Sequence, residues 1–272
     1  MSSIELKRAG SLSYREAVPA AGADDQPVLL VHGFPQSSRM WVGLMEALAA
    51  AGRRSVAPDL YCLGDSTDPG PATYERNREA LAELVAGLDL GPVALVVHDW
   101  GGFVGLSWAC EHPELVSAMV ISDAGFFSYG RWHGIAEAIR ASGGEALVEA
   151  IDRDGFAAML RGEGARFSDA DIEAYWQPFE SGRGRAATVE FYRSMDMEKL
   201  APYDGRLAEL GKPTLLLWGA EDRFAPVSGA HRLHGEIPGS ELVIVDDAGH
   251  FVFETAAERC VEAVTEFLSP TS

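Results

Sequence analysis

The stretch Val96-Val97-His98-Asp99-Trp100-Gly101-Gly102 is the starting point for interpreting this chain. A run of branched residues ends at a polar pair, and two glycines then open a segment with the apolar spacing of a helix. This order of strand, sharp turn and helix is the context of a nucleophile elbow. Its apex residue is Asp99, whose carboxylate could attack a saturated carbon and form an alkyl–enzyme ester. An aspartate at this place could equally cap the helix by accepting its first free N–H groups, and the motif alone leaves both interpretations open.

Short apolar runs rich in valine, isoleucine and leucine recur along the chain and alternate with segments of helical spacing. Such runs are typical of buried parallel strands, and their alternation with helices predicts an α/β fold with a parallel sheet covered on both faces. The start differs, because residues 4–6 and 12–16 flank a turn at Gly10 and predict an antiparallel hairpin at the sheet edge. The predicted parallel strands are residues 28–32, 55–59, 93–98, 116–122, 213–218 and 241–245.

One long insertion interrupts this alternation. From residue 125 to about residue 200 the sequence has helical segments, glycine-rich joints and many aromatic residues, but no convincing buried strand. A helical insertion between two strands predicts a lid over a site at the strand ends. We therefore divide the chain into a core of residues 1–124 and 209–272 and a helical lid of residues 125–208. The aromatic residues of the insertion, most of which should pack its own interior, are Phe126, Phe127, Tyr129, Trp132, Tyr175, Trp176, Phe179, Phe191 and Tyr192.

The composition is that of an ordinary globular protein of 272 residues, 47% hydrophobic and 23% charged. Lysines and arginines number 22 against 41 aspartates and glutamates, which gives a net charge of −19. This charge repels nucleic-acid backbones and anionic membrane surfaces, so we expect neither as a partner. No apolar run approaches the roughly 18 residues that a membrane helix needs, and residues 1–7 lack the layout of a signal peptide. We expect a cytoplasmic protein, and the sequence does not indicate its oligomeric state.

The far end of the chain offers a base and an acid that suit this nucleophile. His250 follows the last predicted strand, behind a glycine, where an imidazole can activate water to hydrolyse an ester. Asp222 follows strand 213–218, and a carboxylate at the other nitrogen of an imidazole fixes its tautomer. Nucleophile, acid and histidine thus occur in the order of an α/β-hydrolase triad. Asp123, at the end of strand 116–122, is the alternative acid.

Four further motifs are His32-Gly33-Phe34-Pro35, Asp59-Leu60-Tyr61-Cys62-Leu63-Gly64-Asp65-Ser66, Tyr175-Trp176-Gln177-Pro178-Phe179 and Gly249-His250-Phe251-Val252-Phe253-Glu254. Together with the elbow, they resemble the haloalkane dehalogenase and epoxide hydrolase branch of the α/β-hydrolase superfamily, over nearly all of the chain outside the lid. The resemblance implies the α/β-hydrolase fold with an inserted helical lid. It also implies Asp99 as nucleophile, His250 as base, and backbone N–H groups of Phe34 and Trp100 in an oxyanion hole.

Departures from the family patterns concern the leaving group. Many haloalkane dehalogenases have an asparagine that helps to bind halide where this chain has Phe34, and phenylalanine is usual there in epoxide hydrolases and haloacetate dehalogenases. Phe191-Tyr192-Arg193 resembles the lid motif that supplies a tyrosine donor in those two groups, which implies Tyr192 as a leaving-group donor. Epoxide hydrolases pair this tyrosine with a second one. The candidates for a second lid donor are Tyr129, Trp132 and His133.

Small haloacids are disfavoured as substrates. Haloacetate dehalogenases bind the substrate carboxylate with arginines just after the nucleophile, whereas this chain has Trp100 and Phe103 at those places. No glycine-rich phosphate loop follows the first strand of the sheet, so no nucleotide cofactor is expected. The three cysteines are scattered without paired spacing, which argues against a thiolate metal site, and we expect no metal.

Two related reactions are predicted, and both use water and pass through an ester at Asp99. In the favoured one, Asp99 displaces halide from a neutral haloalkane while Trp100 and Tyr192 stabilise the leaving ion. His250 and Asp222 then direct water onto the ester. In the alternative, epoxide hydrolysis, Tyr192 protonates the ring oxygen and a vicinal diol results. A third possibility is a protein of this fold that binds a small molecule without catalysis.

Overall fold

One eight-stranded sheet organises the part of the chain that the computed structural model describes, which is residues 4–20, 26–66 and 70–269. Its strands are β1 (Ile4–Ala9), β2 (Leu12–Ala17), β3 (Val28–Val31), β4 (Ser55–Pro58), β5 (Val93–His98), β6 (Val116–Ser122), β7 (Thr214–Gly219) and β8 (Glu241–Val245). They lie in the order β1-β2-β4-β3-β5-β6-β7-β8. All neighbouring pairs from β4 to β8 are parallel, whereas β2 pairs antiparallel with both β1 and β4. The predicted parallel sheet with a hairpin at its edge is confirmed.

Helices connect the strands and cover the sheet. The α-helices are α1 (Val42–Ala50), α2 (Tyr74–Gly87), α3 (Trp100–Glu111), α4 (Gly134–Arg140), α5 (Gly144–Glu149), α6 (Arg153–Gly162), α7 (Asp169–Trp176), α8 (Gly182–Ser194), α9 (Arg206–Glu209), α10 (Ser228–Glu236), α11 (Val252–Thr255) and α12 (Ala257–Phe267). Short 3-10 helices are Ser38–Trp41, Pro113–Leu115, Gln177–Glu180 and Met197–Tyr203. Within the described ranges, no helix is long and apolar enough to span a bilayer.

The central strand β5 shows why the sheet is buried on both sides. Leu95 and Val97 pack into one hydrophobic core with residues of α2, α3 and α10, while Ala94 and Val96 pack into a second core with residues of α1 and α12. Successive side chains of a strand point to opposite faces, so a continuous apolar run needs a helical layer on each face. Burial on both faces leaves the ends of the strands as the accessible part of the sheet.

The segment between β6 and β7 consists of α4 to α9 and their connections. Many of its aromatic residues form a core of their own, in which Trp176 stacks on Phe179 with ring centroids 5.8 Å apart. Two others, Phe191 and Tyr192, belong instead to the main core and contact Trp100. The helical character predicted for the insertion therefore agrees with these elements. Its division from the core at residues 125 and 208 stays a proposal, and residues 1–3, 21–25, 67–69 and 270–272 of the proposed core lie outside the described ranges.

Candidate active site

The parallel strands bring the predicted site residues to one edge of the sheet. Phe34 follows β3, Asp99 follows β5, Asp222 follows β7 and His250 follows β8. In a parallel sheet the carboxyl ends of all strands meet at the same edge, which is where open α/β sheets bind their ligands. Residues that are up to 216 positions apart, from Phe34 to His250, can therefore contact each other there.

Asp99 occupies a strained turn between β5 and α3. Its φ of 49° lies in the left-handed region, which residues with a side chain rarely adopt. Two neighbouring glycines make the close packing of this turn possible: a Cβ on Gly101 would lie 2.1 Å from the Val31 carbonyl oxygen, and one on Gly33 would lie 2.4 Å from Asp99 Cβ. The Asp99 side chain makes no capping hydrogen bond to α3, so the alternative role of helix cap is wrong. Strain of this kind is typical of functional turns.

The carboxylate of Asp99 is instead held by two groups from distant parts of the chain. The Phe34 backbone N–H donates to Asp99 Oδ1 at 2.7 Å. The other oxygen, Oδ2, lies 3.3 Å from His250 Nε2. Burial opposes ionisation of the Asp99 carboxyl, but the hydrogen bonds and the attraction of His250 outweigh it and lower its pKa to about 2. Asp99 is therefore an anion at neutral pH, as a nucleophile must be.

His250 lies between two carboxylates. Its Nδ1–H donates to Asp222 Oδ2 at 2.8 Å, and Asp222 Oδ1 accepts the backbone N–H groups of Phe224 and Ala225 at 2.7 and 2.9 Å. Burial would lower the pKa of the imidazole, but Asp222 and Asp99 together raise it well above its ordinary value. The imidazole is thus oriented by Asp222, with Nε2 directed at Asp99. Asp123, the alternative acid, does not hydrogen bond to His250; it accepts from the Gly219 N–H and the Ser122 hydroxyl.

Two cavities meet at Asp99. The larger has a volume of about 280 Å³ and the smaller about 40 Å³, and Asp99, His133 and Phe224 border both. The larger cavity has a mainly apolar wall that includes Trp100, Phe103, Phe127, Trp132, Met197 and Trp218. The smaller one lies between Asp99 and His250 and is also bordered by Phe34 and Tyr192. The arrangement fits an apolar molecule in the larger space with its reacting atom at Asp99.

The predicted leaving-group donors Trp100 and Tyr192 contact each other beside the nucleophile. The two rings meet edge to face with centroids 5.1 Å apart, which brings the indole of Trp100 next to the Tyr192 hydroxyl. Burial and the negative charge of Asp99 raise the pKa of Tyr192 well above its ordinary value, so this phenol stays protonated.

The three candidates for a second lid donor lie in different places. Tyr129 is 53% exposed, lies under the guanidinium of Arg232 and borders a separate surface groove rather than either cavity at Asp99. Trp132 lines the larger cavity and stacks on Trp100, and its buried indole N–H has no partner among the described residues. His133 borders both cavities, and its Nδ1 accepts the Ala136 N–H at 3.4 Å, which leaves Nε2 to carry the proton. Trp132 and His133 therefore remain candidates, and Tyr129 does not.

Two buried histidines position the site and were not singled out by the sequence analysis. His98 Nε2 lies 2.8 Å from the backbone carbonyl of His250, and burial lowers the pKa of His98 to about 4, so the neutral ring donates to that carbonyl. His32 Nδ1 donates to the Gly33 carbonyl while its Nε2 accepts the Leu60 N–H, which fixes the loop that carries Phe34. The signal for both was a histidine at the end of a buried strand, next to a residue with a proposed role.

Comparison with known proteins establishes the family. A family model for the alpha/beta hydrolase fold matches residues 26–257 of this chain. The chain belongs to the α/β-hydrolase fold family. This match confirms the predicted fold. The solved structure of the haloalkane dehalogenase DbeA from Bradyrhizobium elkani USDA94 has the same fold over nearly its whole length. That structure superposes with a TM-score of 0.83 at 23% sequence identity and covers 98% of this chain and 97% of its own.

Two curated relatives define the position of this α/β hydrolase within the family. A haloalkane dehalogenase of Sphingobium indicum (strain UT26) is 34% identical over 266 residues, which are 89% of this chain and 88% of the relative. A cis-3-alkyl-4-alkyloxetan-2-one decarboxylase of Xanthomonas campestris pv. campestris is 26% identical over 97% of this chain and 94% of the relative. The predicted membership of the haloalkane dehalogenase branch is confirmed, and the family is also shared with oxetanone decarboxylases.

The two carboxylates beside His250 predict an unusual titration of its imidazole. In the free protein His250 should remain protonated at pH 7, because its pKa is raised by Asp222 and Asp99. Asp99→Asn removes one of these charges and should lower that pKa by about one to three units, as expected for an opposite charge at this distance. Nitrogen NMR of the imidazoles across a pH series measures both values.

His98 is the internal control for this titration, since its pKa of about 4 should keep it neutral at pH 7 in both proteins. A wild-type His250 that is neutral at pH 6.5, or one whose titration is the same in Asp99→Asn, would contradict the electrostatic description of the site.

Proposed function

We propose that this α/β hydrolase cleaves a carbon–halogen bond in a neutral organic substrate through an ester on Asp99. The observation that carries the proposal is the placement of the Asp99 carboxylate. It leaves the helix that follows it uncapped, accepts the Phe34 N–H and faces the Nε2 of His250 at 3.3 Å. A half-buried anion with a pKa of about 2 beside an open cavity is suited to nucleophilic attack.

In the first step an oxygen of Asp99 attacks the carbon that carries the halogen. The new carbon–oxygen bond forms as the carbon–halogen bond breaks, and the bonding electron pair leaves with the halide. No base is needed, because the carboxylate is already ionised. The leaving anion requires hydrogen-bond donors, and Trp100 and Tyr192 offer an N–H and an O–H beside the nucleophile.

Formation of the ester prepares His250 for the second step. In the free protein the charge of Asp99 helps to keep the imidazole protonated. An ester carries no charge, so the pKa of His250 falls when Asp99 is alkylated and the proton can leave. The neutral imidazole then takes a proton from water whose oxygen attacks Cγ of Asp99. The Phe34 N–H, 2.7 Å from Oδ1, stabilises the negative oxygen of the tetrahedral intermediate, which collapses to carboxylate and alcohol.

The donors around the cavity favour halide over an epoxide oxygen as the leaving group. An epoxide oxygen becomes an alkoxide that must receive a proton, whereas halide needs only N–H or O–H donors. Among the described residues, Tyr192 is the one tyrosine that borders either cavity at Asp99, because Tyr129 lies outside them. The unpartnered indole N–H of Trp132 adds a donor that an anion can accept but that cannot protonate an alkoxide.

Two features support a neutral and mainly apolar substrate. The first turn of α3 contributes Trp100 and Phe103 to the larger cavity, where an arginine would be needed to bind a carboxylate next to the reacting carbon. The remaining wall includes the aromatic rings of Phe127, Trp132, Trp218 and Phe224 as well as Arg131 and Arg232. Burial of apolar surface against the aromatic rings stabilises a bound alkyl chain by about 25 cal/mol per Å².

Epoxide hydrolysis remains the second candidate, and the specific observation in its favour is Tyr192. This phenol stays protonated and borders the small cavity with Asp99 and His250. The oxetanone decarboxylase relatives add a strained cyclic ester as a third substrate class to test.

The experiment that tests the proposal is a panel of substrates with one matched pair of variants. Bromide release from 1-bromobutane, diol formation from styrene oxide and carbon dioxide release from a cis-3,4-dialkyloxetan-2-one are measured separately. We expect bromide release by the wild type, and its loss in Asp99→Asn with an unchanged unfolding temperature. The exposed Asp246, at the end of β8, supplies the control Asp246→Asn, which should keep full activity.

Full activity in freshly purified Asp99→Asn would contradict the nucleophile. Diol formation without any bromide release would replace the proposed reaction by epoxide hydrolysis. The absence of turnover with every substrate of the panel would favour a binding protein.

The two donors provide a second test, through Trp100→Phe and Tyr192→Phe. Each replacement keeps an aromatic ring in the stack and removes a single donor. For halide release, each replacement should raise the activation free energy of alkylation by the value of one hydrogen bond to an anion, about 1.5–3 kcal/mol. The larger increase is expected for Trp100→Phe. For epoxide opening, Tyr192→Phe should instead slow alkylation by about two orders of magnitude or more, because general-acid catalysis is lost.

Stopped-flow measurement of the alkylation step distinguishes these patterns. If Tyr192→Phe abolished bromide release while Trp100→Phe left it intact, the assignment of the indole as halide donor would be wrong.

A further inference from the structure

Two buried carboxyl groups, rather than one, lie behind the imidazole of His250. Asp123 is fully buried at the end of β6, and Asp222 is 6% exposed at the end of β7. One side-chain oxygen of each lies within 4.8 Å of the other and within 4.8 Å of a His250 ring nitrogen. A triad needs a single acid, so the second carboxyl is a feature that the proposed mechanism does not use.

The hydrogen-bond partners of the two carboxyl groups are unequal. Asp222 receives the His250 imidazole N–H and two backbone N–H groups, which is the environment of a carboxylate anion. Asp123 receives one backbone N–H, from Gly219 at 3.0 Å, and the Ser122 hydroxyl at 2.6 Å. Two carboxyl groups this close in a dry interior do not ionise together, and the proton remains on the one with fewer donors.

Among the described residues, His250 is the one positively charged group that acts on Asp123. The groups that act on it are Asp222 from the loop after β7 and His250 from the loop after β8. It also faces the Cys260 thiol of α12, which burial keeps neutral by raising its pKa to about 12. Burial first, and the negative charge of Asp222 second, raise the pKa of Asp123 well above its ordinary value.

We propose that Asp123 is a positioning residue that holds a proton beside Asp222, so that one negative charge rather than two faces His250 during hydrolysis of the ester. With both acids ionised, the imidazolium would be held too firmly to become a base after Asp99 is alkylated. When Asp222 is removed, Asp123 releases its proton to solvent and takes over as the anion that stabilises the imidazolium. This inference rests on the proposed function for its kinetic consequence but not for the protonation itself.

The local backbone supports a specific role for this side chain. Asp123 has a φ of 46°, in the left-handed region that a glycine would adopt without strain. Strain of this kind persists only where the surroundings fix the residue, and here the carboxyl group bridges the β6 end to the backbone of Gly219 on β7.

Infrared spectroscopy tests the protonation without any substrate. At pH 7 the wild type should show the carbonyl stretch of a protonated carboxylic acid that is missing in Asp123→Asn. The same band should also disappear in Asp222→Asn, although Asp123 is unchanged there. With Asp222 removed, Asp123 loses its proton and becomes the anion beside the imidazolium. Burial raises the pKa of Glu254 to about 7, so Glu254 contributes a band of its own, which Glu254→Gln identifies.

A wild type without a band from Asp123, or an Asp123 band that persists in Asp222→Asn, would overturn the proposal. If Asp123→Asn does not fold, Asp123→Ser takes its place, because loss of the band in Asp222→Asn alone does not show which of the two acids carries the proton.

We call the ability of Asp123 to replace Asp222 as the anion beside His250 its reserve role. A double-mutant cycle tests this role on the hydrolysis of the ester formed from 1-bromobutane. Asp123→Asn should cost at least about tenfold more in the Asp222→Asn background than in the wild-type background, a coupling typical of residues in contact. In the wild-type background the acid limb of the pH–rate profile should stay in place, because an amide and a protonated carboxyl are both uncharged.

Equal costs in the two backgrounds, or a shifted acid limb in Asp123→Asn, would contradict the reserve role. If 1-bromobutane is not a substrate, the proposed function fails, whereas the infrared spectra still decide the protonation of Asp123.

Discussion

The placement of one imidazole between two carboxylates is the interaction on which the rest of the site depends. His250 Nδ1 donates to Asp222 at 2.8 Å and Nε2 faces Asp99 at 3.3 Å; His250 and Asp222 are buried, and the Asp99 side chain is 21% exposed. The same contact lowers the pKa of Asp99 to about 2 and raises that of His250. Under the proposed mechanism, an ionised nucleophile and a base that becomes available only after alkylation both follow from this one arrangement of charges.

The backbone holds this arrangement in place. The strained turn at Asp99 points its carboxylate away from α3, and glycines at positions 33 and 101 allow the neighbouring loops to approach it closely. His98, next to the nucleophile, donates to the carbonyl of His250 and so links the ends of β5 and β8 directly. The pairing of β5, β6, β7 and β8 places the loops that carry these residues side by side. The chemistry is thus positioned by main-chain geometry that the sheet imposes.

Much of this was predictable from the sequence, and the remainder has physical reasons. The buried strands could be identified in the sequence because both faces of the sheet need apolar residues. Their ends then located the elbow at Asp99 and the loop at His250. The sequence favoured Asp222 as the acid without excluding Asp123, since β6 and β7 are neighbours and the carboxyl groups after both approach the same imidazole. The lid donors were also ambiguous, because Tyr129 and Trp132 lie in the loop between β6 and α4, where no helical or strand period predicts the direction of a side chain. The packing of the segment that contains both residues places Trp132 in the wall of the larger cavity and Tyr129 outside that cavity.

The most direct test of the account is to stop the reaction at the covalent intermediate. Alkylation of Asp99 needs no base, whereas attack of water on the ester needs His250, so His250→Gln should form the ester and not hydrolyse it. After incubation with 1-bromobutane, mass spectrometry of digested His250→Gln should find one butyl group on the peptide that contains Asp99, together with one equivalent of released bromide. An unmodified peptide in His250→Gln, with a wild type that releases bromide from the same compound, would contradict an ester mechanism at Asp99.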